Sequence, residues 1–162
     1  MRYINIFVSA LLFATVSWAE QVPQTPAQIQ QQKTLADQMP VSGAPAGFLT
    51  PLKTFETYFS ALARLDATEF QCMTTHAIKA LFNGNVLNDQ DLQKIKAGQQ
   101  GRDERDYTLI EFRYTVDPDH PKIIFGYSFT YPEADGRRVK GFEREELTLV
   151  RTEVGWKIDL VE

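Results

Sequence analysis

Residues 106–131, DYTLIEFRYTVDPDHPKIIFGYSFTY, decide the fold. From Asp106 the apolar spacing falls to two. Ile110, Phe112, Tyr114 and Val116 alternate with Leu109, Glu111, Arg113 and Thr115, as expected of a strand with two distinct faces. After a break at 117–121, Ile123, Phe125, Tyr127, Phe129 and Tyr131 form an almost continuous aromatic row on a second strand, and such a row needs cover. Asp135 and Gly136 favour a reversal, 139–152 supplies a third long strand, and 153–155 another turn. Trp156, Ile158 and Leu160 then alternate in a terminal strand.

Upstream of this stretch the period is helical. Thr50 followed by Pro51 is an N-cap with a helix-compatible first position. Leu52, Phe55, Phe59, Leu62 and Leu65 then recur every three or four residues, leaving Lys53, Glu56 and Arg64 for water. Asp66 breaks that pattern and can cap a second short helix carrying Phe70, Met73, Thr74 and Ala77. Asn83, Gly84 and Asn85 divide 76–87 into two short apolar pieces and predict a small hairpin. Asn88 caps a further helix bearing Leu92 and Ile95, with Asp91 at its positive start and Lys94 and Lys96 toward its end.

Helices followed by a strand meander predict an α+β fold: a cone-like curved sheet, mixed or antiparallel, covered by about three helices. Curvature of that kind leaves a hollow whose mouth is the natural place for a ligand.

The chain is 162 residues long and its three parts differ in composition. Residues 1–19 place Arg2 before an apolar run from Ile4 to Val16 and end in Ser17, Trp18 and Ala19, which reads as a secretory signal peptide cleaved after Ala19. The run is shorter than the roughly 17–25 apolar residues of a membrane span, so no stable span is expected after cleavage. The mature chain is accordingly expected in the periplasm or secreted. Residues 20–48, with Pro23, Pro26, Pro40, Pro45 and several glutamines, read as a mobile or loosely docked arm. Within it 27–39 can form a short helix with Ile29, Leu35 and Met39 on related faces. Residues 49–162 form the domain.

That domain resembles the nuclear transport factor 2-like (NTF2-like) superfamily, as small secreted bacterial members present it. The resemblance runs over 50–162: a long first helix in TPLKTFETYFSALARLDATEF, a short second one, the FNGNVLNDQDLQKI passage, three long strands and the closing GWKIDLV. It implies a cone-shaped α+β barrel, and since the superfamily includes enzymes, ligand binders, assembly domains and immunity proteins, it leaves the function open. Its enzyme branches use pocket-lining Asp, His or Tyr groups for hydratase- or isomerase-like chemistry. Tyr58, Asp66, His76, Glu111, Arg113 and Tyr127 are the positions here that could meet in one cavity, a carboxylate or imidazole exchanging a proton while Tyr or Arg steadies an oxyanion.

Each of these residues also has a structural role on offer. Asp66 suits a helix-junction cap, Tyr58 and Tyr127 suit the core, and Glu111 with Arg113 suits a cross-strand ion pair. Two histidines, a single cysteine and no metal-ligand spacing give no metal site, and no phosphate, dinucleotide or nucleophile-elbow motif points to a cofactor. A net charge of −4 gives no general reason to bind nucleic acid. The reading that follows is a non-catalytic binding protein that uses a cone pocket or sheet face for a small apolar ligand or a protein partner. Tyr58, Tyr127 and Phe129 serve as its apolar contacts, Glu111 and Arg113 add polarity, and a homodimer through the sheet is one form of it. The alternatives are a small acid/base enzyme working through Asp66 or His76, and an immunity or secretion-associated interaction protein.

Overall fold

Two threonine–proline pairs start the first two long helices. Thr25 caps α1 (Pro26–Ala36) through a reciprocal box: its hydroxyl accepts from Gln28 N–H, and its own N–H donates to Gln28 Oε1 at 2.8 Å. Thr50 caps α2 (Pro51–Ala63) by accepting from Lys53 N–H, and its hydroxyl donates to Asp37 Oδ1 at 2.7 Å. The end of α1 is thereby tied to the start of α2. The computed structural model describes residues 24–64, 66–99, 106–133 and 135–162; the signal peptide expected at 1–19 lies outside them, as does Leu65.

The expected stripe on α2 is present in shifted form. Leu52, Phe55, Tyr58 and Ala61 are buried, and Phe59 and Leu62 pack partly covered beside them. The second helix is broken into α3 (Thr68–Gln71) and α4 (Thr75–Leu81), because the residues between them pair with the last strand. Met73 makes a parallel bridge to Ile158, whose N–H donates to Cys72 O at 2.7 Å, while Thr74 N–H donates to Ile158 O at 2.8 Å. The hairpin expected at 76–87 is not formed. Helix α4 occupies its first half, and Asn83 and Gly84, both at positive φ, turn the chain out of that helix instead of joining two strands. Helix α5 (Asp89–Gln99) begins at Asn88, whose side chain accepts from Asp91 N–H at 2.9 Å.

Four strands follow: β1 (Thr108–Thr115), β2 (Lys122–Pro132), β3 (Arg138–Thr152) and β4 (Gly155–Val161). They pair antiparallel in the order β1-β2-β3-β4. This corrects the expected cone-like sheet under about three helices: the described residues form an open four-stranded meander with five α-helices. The outer strands stay apart because other parts of the chain occupy their free edges. On β1, Phe112 N–H donates to Gln24 Oε1 at 2.7 Å and Tyr114 N–H to Gln32 Oε1 at 2.9 Å. On β4, the edge is taken by the segment from Cys72 to Thr74. The expected second helix is two, and the glutamine-rich arm carries a further one that packs on β1, so the helix count rises.

Register sets which side chains face the helices. Leu109 lies opposite Tyr127, Glu111 opposite Gly126 and Phe112 opposite Phe125, so Ile110 is an extra residue in a bulge. The bulge resets the parity of β1: Leu109, Phe112 and Tyr114 share the inner face, whereas Val116 lies beyond the strand and is exposed. On that face Phe55 meets Phe112 and Phe125 edge-on at ring-centroid distances of 4.9 and 5.0 Å. Trp156 closes the far end, donating from Nε1 to Met39 O at 2.7 Å while its carbonyl accepts from the Thr54 hydroxyl.

The β3–β4 turn depends on Gly155. Its φ is 119°, and a Cβ there would stand 2.5 Å from Phe48 O. Gly155→Ala is expected to destabilise the protein by about 1–3 kcal/mol from backbone strain alone, with the close approach adding to it. A urea unfolding midpoint equal to wild type would show that this turn relaxes freely.

Candidate functional site

The inner sheet face carries carboxylates where its aromatic row meets α2. Tyr127 points there from β2, and the register sets it opposite Glu143, with Phe125 opposite Glu145. The Tyr127 hydroxyl lies 2.5 Å from Glu143 Oε2 and 2.9 Å from Glu145 Oε1, and the Tyr58 hydroxyl reaches across from α2 to Glu145 Oε2 at 3.0 Å. Burial holds both phenols well above their usual pKa, and Glu145 adds to the effect on each, so both stay protonated donors. Burial likewise raises the Glu145 carboxyl, against the lowering influence of the two tyrosine hydrogen bonds.

Phe129 extends the row, its ring 6.0 Å from that of Tyr127 and 5.6 Å from that of Tyr107. It fits because its β3 neighbour is Gly141: a Cβ on that residue would come within 2.6 Å of the Phe129 ring.

Behind this cluster lies a buried ion pair. Glu69 of α3 and Lys96 of α5 meet at 2.6 Å with side chains only 9% and 6% exposed. Burial raises the Glu69 carboxyl while Lys96 lowers it, and Lys96 also sits 5.4 Å above the Phe70 ring.

Only Tyr58, Tyr127 and Phe129, of the residues expected to form a site, come together here. Glu111 and Arg113 belong to the opposite, outer face. Glu111 lies over Gly126, its Oε2 accepts from Arg144 Nε at 3.1 Å, and its Oε1 stands 2.7 Å from Arg113 Nε at ion-pair distance. Asp66 accepts from both the N–H and the hydroxyl of Thr68, which lower its carboxyl pKa. It therefore closes a turn ahead of α3. His76 is exposed beside Asp159, with Nδ1 3.1 Å from Asp159 O. Cys72 is fully buried, and burial pushes its thiol up to about 12, which leaves no thiolate for nucleophilic chemistry.

Glu143 and Glu145, which the sequence suggests as part of a charged row with Arg151 rimming a contact surface, are instead the partners of the two tyrosines. Their signal was the parity of β3, since both alternate in phase with Leu147 and Leu149, which are buried. Among the described residues no cluster of three or more His, Cys, Asp or Glu is suited to a metal, and no helix is long and apolar enough to cross a membrane. A half-open cleft of about 140 Å³ between α3, α4 and α5 is lined by Phe70, Ile78, Leu92 and Gln93 and includes none of the tyrosines.

No family model and no curated protein matches this chain. Solved structures do. The CaMKII hub of S. rosetta superposes with a TM-score of 0.53 at 16% identity, covering 75% of this chain and 95% of the hub. The association domain of C. elegans CaMKII gives 0.50 at 14% identity, over 68% of this chain and 88% of that one. The fold is NTF2-like. A Novosphingobium aromaticivorans protein, provisionally described as an aromatic ring hydroxylase, matches at 0.51 and 16% identity over 85% of this chain and 89% of its own. Assembly hubs and a provisional enzyme thus share the NTF2-like fold with this chain, and at such identities the likeness is one of fold alone.

Proposed function

We propose that this chain is a non-catalytic binding protein of the periplasm or extracellular space, released from residues 1–19, which docks a protein partner on the outer face of its sheet. The observation that carries this reading is Phe142. It is 51% exposed on β3, opposite Ser128, with Lys140 Nζ 5.2 Å from its ring centre. Half-buried Ile124 lies on the same face, and Arg113, Lys122, Arg138, Lys140 and Arg144 share it with Glu111, Glu146 and Glu162, while Asp106 stands 3.6 Å from Arg138. An aromatic anchor among apolar residues with a charged rim has the anatomy of a protein interface. The inner face supports a small apolar ligand less well, because Phe55, Phe59, Phe112, Phe125 and Tyr127 fill it with one another's rings.

Arg113 and Arg144 are paired with Glu111, Lys122 with Glu146 and Arg138 with Asp106, so the charge beside the Phe142 anchor is that of Lys140, and a partner offering an acidic group there is the better match. An immunity or secretion-associated role is one form of this reading. The acid/base enzyme retains one favouring observation, the Glu143–Tyr127–Glu145–Tyr58 cluster, but draws nothing from Asp66 or His76 in their present positions. A photo-crosslinking amino acid at position 142 is expected to give a defined protein adduct in the native host, whereas the same group at Val154, equally exposed in the β3–β4 turn, gives none. Equal labelling at both positions, or none at 142, would remove the sheet face from consideration. A self-adduct would favour the homodimer.

A further inference from the structure

A tyrosine hydroxyl has one proton, and an ionised carboxylate has none. Tyr127 Oη nevertheless stands within hydrogen-bond distance of two carboxylates, at 2.5 Å from Glu143 and 2.9 Å from Glu145. With both ionised, it could donate to only one, and the other contact would set an oxygen lone pair against a carboxylate oxygen in a half-buried site. One extra proton removes the conflict. Placed on Glu145 Oε1, it is donated to Tyr127 Oη, the Tyr127 proton goes to Glu143 Oε2, and Tyr58 donates to Glu145 Oε2. Every contact then has one donor and one acceptor.

We propose that Glu145 enters the folded protein as a carboxylic acid, so that the clasp joining α2 to the sheet is held by one proton and loosens when that proton leaves. The surrounding groups favour this placement. From α2 there is Tyr58, from β2 Tyr127, from β3 Glu143, and from α3 Glu69, whose charge opposes a second anion nearby. Lys96 of α5 is engaged by Glu69. Tyr107, ahead of β1, stacks its ring 5.0 Å from Tyr127. Burial is the largest influence on Glu145 and acts in the same direction.

Linkage fixes the sign. A carboxyl whose folded pKa is raised above the ordinary 4.5 contributes stability that is fully present below 4.5 and is lost as pH rises through the folded midpoint. The test is a carboxyl ¹³C NMR titration of the wild-type protein, with Glu145 assigned through the backbone, repeated on Glu143→Gln. In the wild type, Glu145 is expected to titrate above 4.5. In Glu143→Gln its midpoint is expected to fall, because the new amide can donate to Tyr127 and free that hydroxyl to donate to an ionised Glu145. A wild-type midpoint at or below 4.5, or one unmoved by Glu143→Gln, would overturn the proposal. Urea unfolding gives a second readout: wild-type stability should decline with rising pH across this window relative to Glu145→Gln, and parallel curves would count against the held proton. The wild-type titration needs no variant to fold.

Discussion

Replacing Lys96 with methionine is expected to lower the unfolding free energy by about 3–5 kcal/mol at neutral pH, although the side chain lies on a helix that reads as polar. The reason is the carboxylate it leaves behind. Glu69 is as buried as its partner, and its Oε2 already has no hydrogen-bond donor. Without the ammonium at 2.6 Å, the Glu69 carboxyl is pushed further above its ordinary range, so the deficit should be largest at neutral pH and shrink as pH falls below 4.5, where the group becomes protonated in both states. Urea unfolding at the two pH values measures this. Adding Glu69→Leu should recover most of the loss, since removing both partners leaves no uncompensated charge. A single variant as stable as wild type would mean that water reaches the pair.

Trp156→Ala should be comparably severe, at about 3–5 kcal/mol for an emptied aromatic site. Trp156 is 1% exposed, and its indole donates to Met39 O while its backbone carbonyl accepts from Thr54. Trp156→Phe separates the contributions: most of the ring area is retained, and Met39 O loses its donor for about 1 kcal/mol. Denaturant midpoints of the two variants should therefore be ordered wild type, Phe, Ala. Equal midpoints for Phe and Ala would assign the effect to the hydrogen bond instead of the packing.

The parts legible in the sequence were those whose cause lies within a few residues. The start of α2 follows from Thr50 and Pro51, and α5 from Asn88 with Asp91. The four strands follow from period-two spacing and from turns at Asp135–Gly136 and Gly155. What was missed depends on distant partners. Ile110, Phe112, Tyr114 and Val116 alternate without a flaw, and only the pairing with β2 reveals Ile110 as the surplus residue that brings Leu109 onto the inner face. The Asn-Gly signal marked a real reversal, yet nothing local says whether a helix or a strand leads into it. The polar cluster joins Tyr58 to a glutamate 87 residues later, which no periodicity displays. Glu111 and Arg113, expected beside Tyr127, lie behind it because they alternate with Phe112 and Tyr114, which face inward.

The glutamines on the free side of β1 have a bearing on how the protein survives at high concentration. An unoccupied strand margin is a template on which another chain can add, one route to fibrous polymers. Gln24 and Gln32 occupy two of its amide positions with side chains, which cannot themselves propagate a sheet. The leading segment thus acts as a guard against self-templating, and clipping it away would expose that margin and also strip Ala36 from the core and Ile29 and Leu35 from beside it.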